Sequence, residues 1–210
     1  MVVPQATQRL AEVGASAAVV AMALDGDLRT RIEQALKECA EDARTQVLLD
    51  RLQGRLPSVD ECNEMVPGRN VTLARLLGEE MHKLALQCAG ARLRELQPGG
   101  FSLEPRYRYD LKTRKTTFVS EAEAQDLLRQ WRGHELKGTL RPDVVIHSGD
   151  PLRAKVVYDF KFACASSSGP AAWSKYPEGH PYQGFSQNQV YRNALGVDVW
   201  RVTPWEGILP

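Results

Sequence analysis

The sequence predicts an α/β fold in which a mixed β-sheet is covered by helices on both faces. Two observations lead to this prediction. Short runs rich in β-branched and aromatic residues, at 143–146, 155–162 and 198–202, are interspersed with segments of helical periodicity. The first two runs are largely apolar, and such strands need a cover on each face of the sheet.

Four segments carry a helical pattern. Apolar residues recur in them at three- and four-residue steps, and capping or helix-ending residues flank them. The predicted helices are 28–52 after Asp27, 70–98 capped by Asn70, 121–131 with a Ser120 to Glu123 capping box, and 186–195 ended by Gly196.

The strands are expected to form two hairpins and one final strand. Segments 101–109 and 116–119 predict the first hairpin, although Pro105 restricts its first strand to an edge or a bulge. Residues 148–151 have turn chemistry, so the two apolar runs on either side of them are expected to pair antiparallel. The last strand is 198–202.

The organisation along the chain suggests a helical N-terminal extension over 1–66 and a domain over 67–210. Residues 1 to about 25 form an Ala/Val/Gly-rich leader. The longest apolar stretch, 14–24, is too short to span a bilayer, and no basic segment precedes it. These features predict a cytoplasmic protein in the producing cell, with export open only to a route that needs no signal peptide.

The charge of the chain limits the kinds of partner it can have. The 210 residues include 27 basic and 26 acidic side chains, a formal net charge of +1. This balance excludes a protein that coats nucleic acid through a broad excess of Lys and Arg. A local basic region remains, because 101–162 holds 12 basic and 9 acidic residues. A cleft that engages phosphate is therefore compatible with the composition, and so is a solvated sheet edge.

The four cysteines are widely spaced. They form no C-x-x-C pair and no Cys/His cluster, which argues against a structural zinc site and does not indicate a disulfide framework. Cys39 and Cys88 lie in helical patterns, where a free cysteine behaves as a small buried apolar residue, and no disulfide is expected for these two or for Cys62 and Cys164.

Asp159 and Lys161 are the most chemically informative pair in the sequence. Side chains alternate along a strand, so these two share one face of 155–162, and the aromatic residues between and beside them point to the opposite face. A carboxylate and an ammonium on a buried strand are costly unless they are paired or used in chemistry. A simple edge-strand ion pair is the alternative.

Further carboxylates can join this pair. Asp143 opens the neighbouring strand of the predicted hairpin and can face the same cleft, and two carboxylates suit a magnesium or manganese ion. Glu80 lies on the apolar stripe of the second helix and is expected to point inward as a third carboxylate. Glu79 is the alternative to Glu80.

These residues resemble a known superfamily. Pro142-Asp143 and, after fifteen intervening residues, Asp159-Phe160-Lys161 look like the PD-(D/E)xK nucleases of the restriction-endonuclease fold. Gln187 and Tyr191 share one helix face and are similar to the Q-x-x-x-Y signature of RecB-type members. The resemblance covers about 70–210 and implies an αβββαβ core.

The resemblance implies metal-dependent hydrolysis of phosphodiester bonds. Asp143 and Asp159 would bind Mg²⁺ or Mn²⁺, and Glu80 would bind it directly or through a neighbouring ligand. Lys161 would orient the attacking water or stabilise charge on the phosphate. Gln187 and Tyr191 would position the nucleic acid backbone or bases.

The chain also looks like the nuclease domains of bacterial polymorphic toxins and type VI secretion effectors. This implies a DNase that acts in the cytoplasm of a target cell and is neutralised by a cognate immunity protein. A repair or phage-type exonuclease and a catalytically idle interaction module are the alternatives, and the choice between DNA and RNA stays open. His180 is interpreted as a loop or substrate-contacting residue, and the other histidines, His82, His134 and His147, as structural or exposed.

Overall fold

The computed structural model describes residues 24–165, 169 and 171–210. Its five helices of the α type are α1 Gly26–Leu52, α2 Val59–Asn63, α3 Leu73–Leu96, α4 Glu121–Arg129 and α5 Gln187–Leu195. Its strands are β1 Phe101–Leu103, β2 Arg106–Tyr109, β3 Thr116–Val119, β4 Val144–His147, β5 Ala154–Phe160, β6 Val199–Thr203 and β7 Gly207–Leu209. No helix within this described part is long and apolar enough to cross a membrane.

The two long helices begin at caps other than the predicted ones. Asp25, not Asp27, accepts hydrogen bonds from the first free N–H groups of α1. Thr72, not Asn70, caps α3 by accepting from the N–H of Arg75. In both helices, the capping side-chain oxygen accepts from a backbone N–H group two or three residues later in the chain. The predicted leader lies almost entirely outside the described residues.

A five-stranded mixed sheet forms the centre of the fold, in the order β1-β4-β5-β6-β7. The hairpin of β4 and β5 is antiparallel as predicted, with Val144 opposite Tyr158. Strand β6 pairs parallel to β5 after the α5 crossover, and β7 extends the edge beyond the predicted strands. The α/β class with a mixed sheet and flanking helices is therefore confirmed.

The predicted strand over 101–109 is divided into two. Glu104 adopts a positive φ of 47°, and Pro105 follows it, so the chain turns between β1 and β2. Strand β1 joins the central sheet beside β4, and β2 pairs with β3 in a separate two-stranded sheet. This small sheet and α4 are inserted between two strands of the central sheet.

Helices pack on both faces of the central sheet. One face is covered by α1 and α3, whose apolar side chains contact Val144, Ile146, Val156, Tyr158 and Phe160. The other face is covered by α5 and the small sheet, and its buried residues include Val145, Val157, Val190 and Tyr191. Helix α1 lies within 1–66, so the described part of that segment shares the core of the sheet.

The cysteines are paired, and the expectation of free thiols is wrong. Cys39 of α1 is bonded to Cys88 of α3, and Cys62 of α2 is bonded to Cys164, which follows β5. The partners are 49 and 102 residues apart in sequence, and only the tertiary packing brings their Cα atoms to 5.5 and 6.0 Å. Disulfides persist in oxidising compartments, so this pairing does not support the predicted cytoplasmic location.

Candidate active site

The sheet brings Asp143 and Asp159 to the same edge. Asp143 comes directly before β4, and Asp159 is the penultimate residue of β5. Because the two strands run antiparallel, the start of β4 lies beside the end of β5, where Val144 pairs with Tyr158. The two aspartates therefore meet through hairpin register, as the sequence analysis expected.

Asp143 is buried and held from two sides. Its Oδ2 accepts a hydrogen bond of 2.7 Å from the backbone N–H of Phe160. Its Oδ1 lies 2.8 Å from Nε2 of His82 on α3. A carboxylate can only accept, so Nε2 carries the proton and donates. The carboxylate is thereby fixed between the end of β5 and the helix that covers it.

Asp159 has one free carboxylate oxygen. The residue is 2% exposed, and its Oδ1 accepts a hydrogen bond from the ammonium of Lys161. Its Oδ2 is buried and has no hydrogen-bond partner among the described residues. Burial raises the pKa of Asp159 and the negative charge of Asp143 raises it further, against the opposing effects of Lys161 and His82. Such a buried oxygen is a natural ligand for a cation.

Lys161 connects the aspartates to α5. Its side chain is 15% exposed, and its Nζ donates a 2.9 Å hydrogen bond to Oε1 of Gln187. The Nε2 of Gln187 in turn donates to the hydroxyl of Tyr191, 2.8 Å away. Burial raises the pKa of Tyr191, and the charge of Asp159 adds to this effect. The side chains from Asp159 to Tyr191 thus form one continuous polar chain.

The start of α5 places Gln187 at the end of β5. The side chain of Gln189 accepts a hydrogen bond from the backbone N–H of Ser186, which sets the first turn of the helix there. The N–H of Gln187 is taken by the carbonyl of Ser174. Residues Gln187 and Tyr191 are one turn apart and face the sheet together.

Glu80 is not part of this cluster, and its predicted orientation is corrected. Its carboxylate forms a two-point ion pair with Arg51 of α1, including a 2.8 Å bond from Nε. Successive residues are rotated by about 100° around an α-helix. Glu80 is therefore on nearly the opposite side of α3 from His82. Glu79, the alternative, is mostly exposed and pairs with Arg75 at 2.7 Å.

His82 is the site residue that the sequence analysis missed. It follows the buried Met81 on α3, and its side chain is 32% exposed. The hydrogen bond to Asp143 raises the pKa of His82, and the charges of Asp143, Glu104 and Asp159 add to this, while burial lowers it. Its position one residue beyond the apolar stripe was the available signal. The sequence pattern does not show which strand packs beside this side of α3.

Two other histidines, His180 and His147, lie outside the polar chain. His180 stacks on Tyr176 with ring centroids 4.4 Å apart, in the loop before α5. His147 is buried, with its Nε2 2.9 Å from Oγ of Ser102 and its Nδ1 accepting from the N–H of Gly149. Neither histidine contacts the side chains of that polar chain in these interactions.

Asp143 and Asp159 are the carboxylates at the sheet edge that could hold a divalent cation. In the part of the chain that the structure describes, no three His, Cys, Asp or Glu side chains group tightly enough to form a complete metal cage. Magnesium is commonly held by one or two carboxylates and completed by water and substrate phosphate oxygens. Asp143 and Asp159 supply two carboxylates, and the buried Oδ2 of Asp159 has no hydrogen-bond partner among the described residues.

Comparison with known proteins found no matching family model, no similar curated protein and no similar solved structure. The functional interpretation therefore depends on the residues of the chain itself.

Proposed function

We propose that this chain is a metal-dependent nuclease that hydrolyses phosphodiester bonds with Mg²⁺ or Mn²⁺. One observation carries this function: the buried and unpartnered Oδ2 of Asp159 lies on a side chain flanked by a second carboxylate and an ammonium. A buried carboxylate oxygen without a partner costs free energy, and a bound cation would offset that cost. An arrangement of two carboxylates and a lysine suits a cation and a phosphate together.

The metal would be held by Asp143 and Asp159, with His82 beside them from α3. When bound, such a metal lowers the pKa of a coordinated water and offsets the negative charge of the phosphate. The hydrogen bonds to Asp143 from the N–H of Phe160 and from His82 keep one carboxylate fixed during the reaction. His82 takes the place that the sequence analysis gave to Glu80.

Lys161 would act on the phosphate directly. Its side chain is 15% exposed and its Nζ donates to Asp159 and Gln187, so the third N–H of the ammonium can donate to a phosphate oxygen and stabilise the charge that develops there. Gln187 holds the ammonium by accepting from it, and Tyr191 holds Gln187. These two are positioning residues.

The order of elements supports the assignment to the PD-(D/E)xK nucleases. Helix α3, strand β1, the β4–β5 hairpin, helix α5 and strand β6 follow one another as the αβββαβ core would require. The small sheet with α4, the helices α1 and α2, and strand β7 would then be additions to that core.

A cleavage assay tests the nuclease function. Purified wild-type protein is incubated with plasmid DNA and with RNA, in Mg²⁺, in Mn²⁺ and in chelator. We expect metal-dependent cleavage that Asp159→Ala and Lys161→Ala each abolish. Glu80→Gln is the matched control, because it changes a carboxylate of α3 outside the cluster and should cut like the wild type. Full activity of either cluster variant would show that the assigned mechanism is wrong.

We further propose that DNA is the substrate and that the protein is an antibacterial effector with an immunity protein as partner. The two disulfides support exposure to an oxidising compartment, which an exported protein meets outside the producing cell. Expression of the wild type in a bacterium lacking the immunity protein should stop growth and degrade DNA, and Asp159→Ala should do neither. Intact DNA and normal growth would contradict this role.

Two further measurements separate the alternative functions. End-labelled linear DNA that is shortened stepwise, with closed circular plasmid left intact, would favour a repair-type exonuclease. Calorimetry that detects no binding of Mg²⁺ or Mn²⁺, together with no cleavage, would favour an idle interaction module.

A further inference from the structure

An aromatic side chain borders the opening to Lys161. The indole ring of Trp173, in the loop before α5, lies with its centroid 5.1 Å from Nζ of Lys161. Trp173 is partly exposed, whereas only 15% of the Lys161 side chain is. A group bound at the ammonium would therefore lie close to this ring.

The loop that carries Trp173 is tied to the same elements that form the cluster. Arg201 of β6, which pairs in register with Asp159, donates a 3.0 Å hydrogen bond to the carbonyl of Ala171. The carbonyl of Ser174 accepts from the N–H of Gln187 at 2.8 Å. Backbone contacts on both sides of Trp173 thus fix its position relative to the aspartates.

The chemistry that Trp173 offers is a π surface. Its Nε1 is directed to the carbonyl of Pro210 at 3.4 Å, so the indole donor is already engaged. A phosphate oxygen that accepts from Lys161 would lie about 2.8 Å from Nζ. The base of the same nucleotide, which is attached through its sugar, would then lie near the indole ring of Trp173. Base stacking on aromatic side chains tolerates every base, because each has a π face.

We propose that Trp173 stacks on the nucleobase next to the cleaved phosphodiester, so that the strand must be unpaired there. This inference rests on the proposed nuclease function and names its preferred substrate as nucleic acid that is unpaired at the cleaved bond. In a duplex, both faces of a base are covered by its neighbours, and an aromatic side chain can stack only after the base is splayed out.

The test uses one DNA sequence, single-stranded and annealed, with the wild type and three variants. Trp173→Ala removes the ring and Trp173→Phe retains an aromatic face. Trp131→Ala is the matched control, because Trp131 is 93% exposed and lies after the last turn of α4, outside the cluster. We expect faster cleavage of the single strand by the wild type. Trp173→Ala should lose about 5- to 150-fold in kcat/KM, mainly through KM, while Trp173→Phe loses less and Trp131→Ala is unchanged.

An abasic nucleotide beside the cleaved bond separates stacking from a structural role. It should slow the wild type by a similar factor and leave Trp173→Ala unaffected, since the variant has no ring to stack. Equal cleavage of both DNA forms, or additive losses from the variant and the abasic site, would overturn the inference while the nuclease function stands. Trp173-dependent binding of the single strand by fluorescence anisotropy, without cleavage in any metal, would support stacking and contradict the nuclease function.

Discussion

The imidazole of His82 donates a hydrogen bond to the carboxylate of Asp143, with Nε2 and Oδ1 2.8 Å apart. Helix α3 and strand β4 meet at this contact, which joins the helical cover to the edge of the sheet where Asp159 lies. The site is therefore built by three parts of the chain: the margin of a helix, a hairpin and the first turn of α5.

The first prediction concerns His82 and the metal. We expect His82→Ala to raise the concentration of Mg²⁺ or Mn²⁺ needed for half-maximal cleavage by about 10- to 100-fold, because Asp143 loses the group that orients it. Metal titration of the cleavage rate measures this. Lys83→Ala, an exposed change at the next position of α3, should need no more metal than the wild type. An unchanged metal requirement in His82→Ala would contradict the assigned role.

The second prediction concerns pH and Asp159. Its pKa in the folded protein is raised by burial and by Asp143, so folding favours the protonated form. The residue therefore contributes most to stability below its ordinary pKa of about 4, and this contribution is lost as the pH rises toward the raised value. In chelator, Asp159→Asn should be more stable than the wild type at pH 7, by on the order of 1 to 3 kcal/mol. Denaturant unfolding between pH 4 and pH 8, a range chosen around roughly these pKa values, measures the difference. A difference that shrinks with rising pH would show that the sign is wrong.

The third prediction separates positioning from direct action in α5. Tyr191→Phe removes a buried hydroxyl and leaves Nε2 of Gln187 without its acceptor. We expect a loss of about 1 to 2 kcal/mol in the free energy of unfolding and a decrease in kcat much smaller than that of Lys161→Ala. Both are measured on the same preparations. A decrease in kcat as large as that of Lys161→Ala would place Tyr191 among the groups that act on the substrate.

The fourth prediction distinguishes the two disulfides. Each closes a long loop, so replacing either pair with serines should lower the free energy of unfolding by on the order of 2 to 5 kcal/mol. Only the bond from Cys62 to Cys164 ends three residues beyond Lys161. The Cys62→Ser, Cys164→Ser double variant should therefore lose part of its cleavage activity at temperatures where it is still folded.

The control for that prediction is the Cys39→Ser, Cys88→Ser double variant, which alters the contact of α1 with α3 away from Lys161. We expect it to retain activity while folded, as judged by circular dichroism before each assay. Equal activity losses in the two double variants at matched folded fractions would show that proximity to Lys161 has no effect.

The sequence by itself determined the parts that depend on local periodicity. The alternation of a strand placed Asp159 and Lys161 on one face, and the turn at 148–151 predicted the hairpin that brings Asp143 to them. The spacing of Gln187 and Tyr191 within one helical turn placed both on one face of α5. These relationships involve neighbours in sequence or in a hairpin, where geometry follows from the residue pattern.

Only the tertiary structure decided which residues of α3 and which cysteines take part. Glu80 lies on the apolar stripe of α3. In the folded chain, however, α3 packs beside both α1 and the sheet, so that Glu80 contacts Arg51 of α1 and His82 contacts Asp143. The cysteine pairs likewise depend on how segments that are 49 and 102 residues apart in sequence pack together. A helical pattern determines which side chains share a face of the helix. The packing of the whole chain determines which element each face contacts.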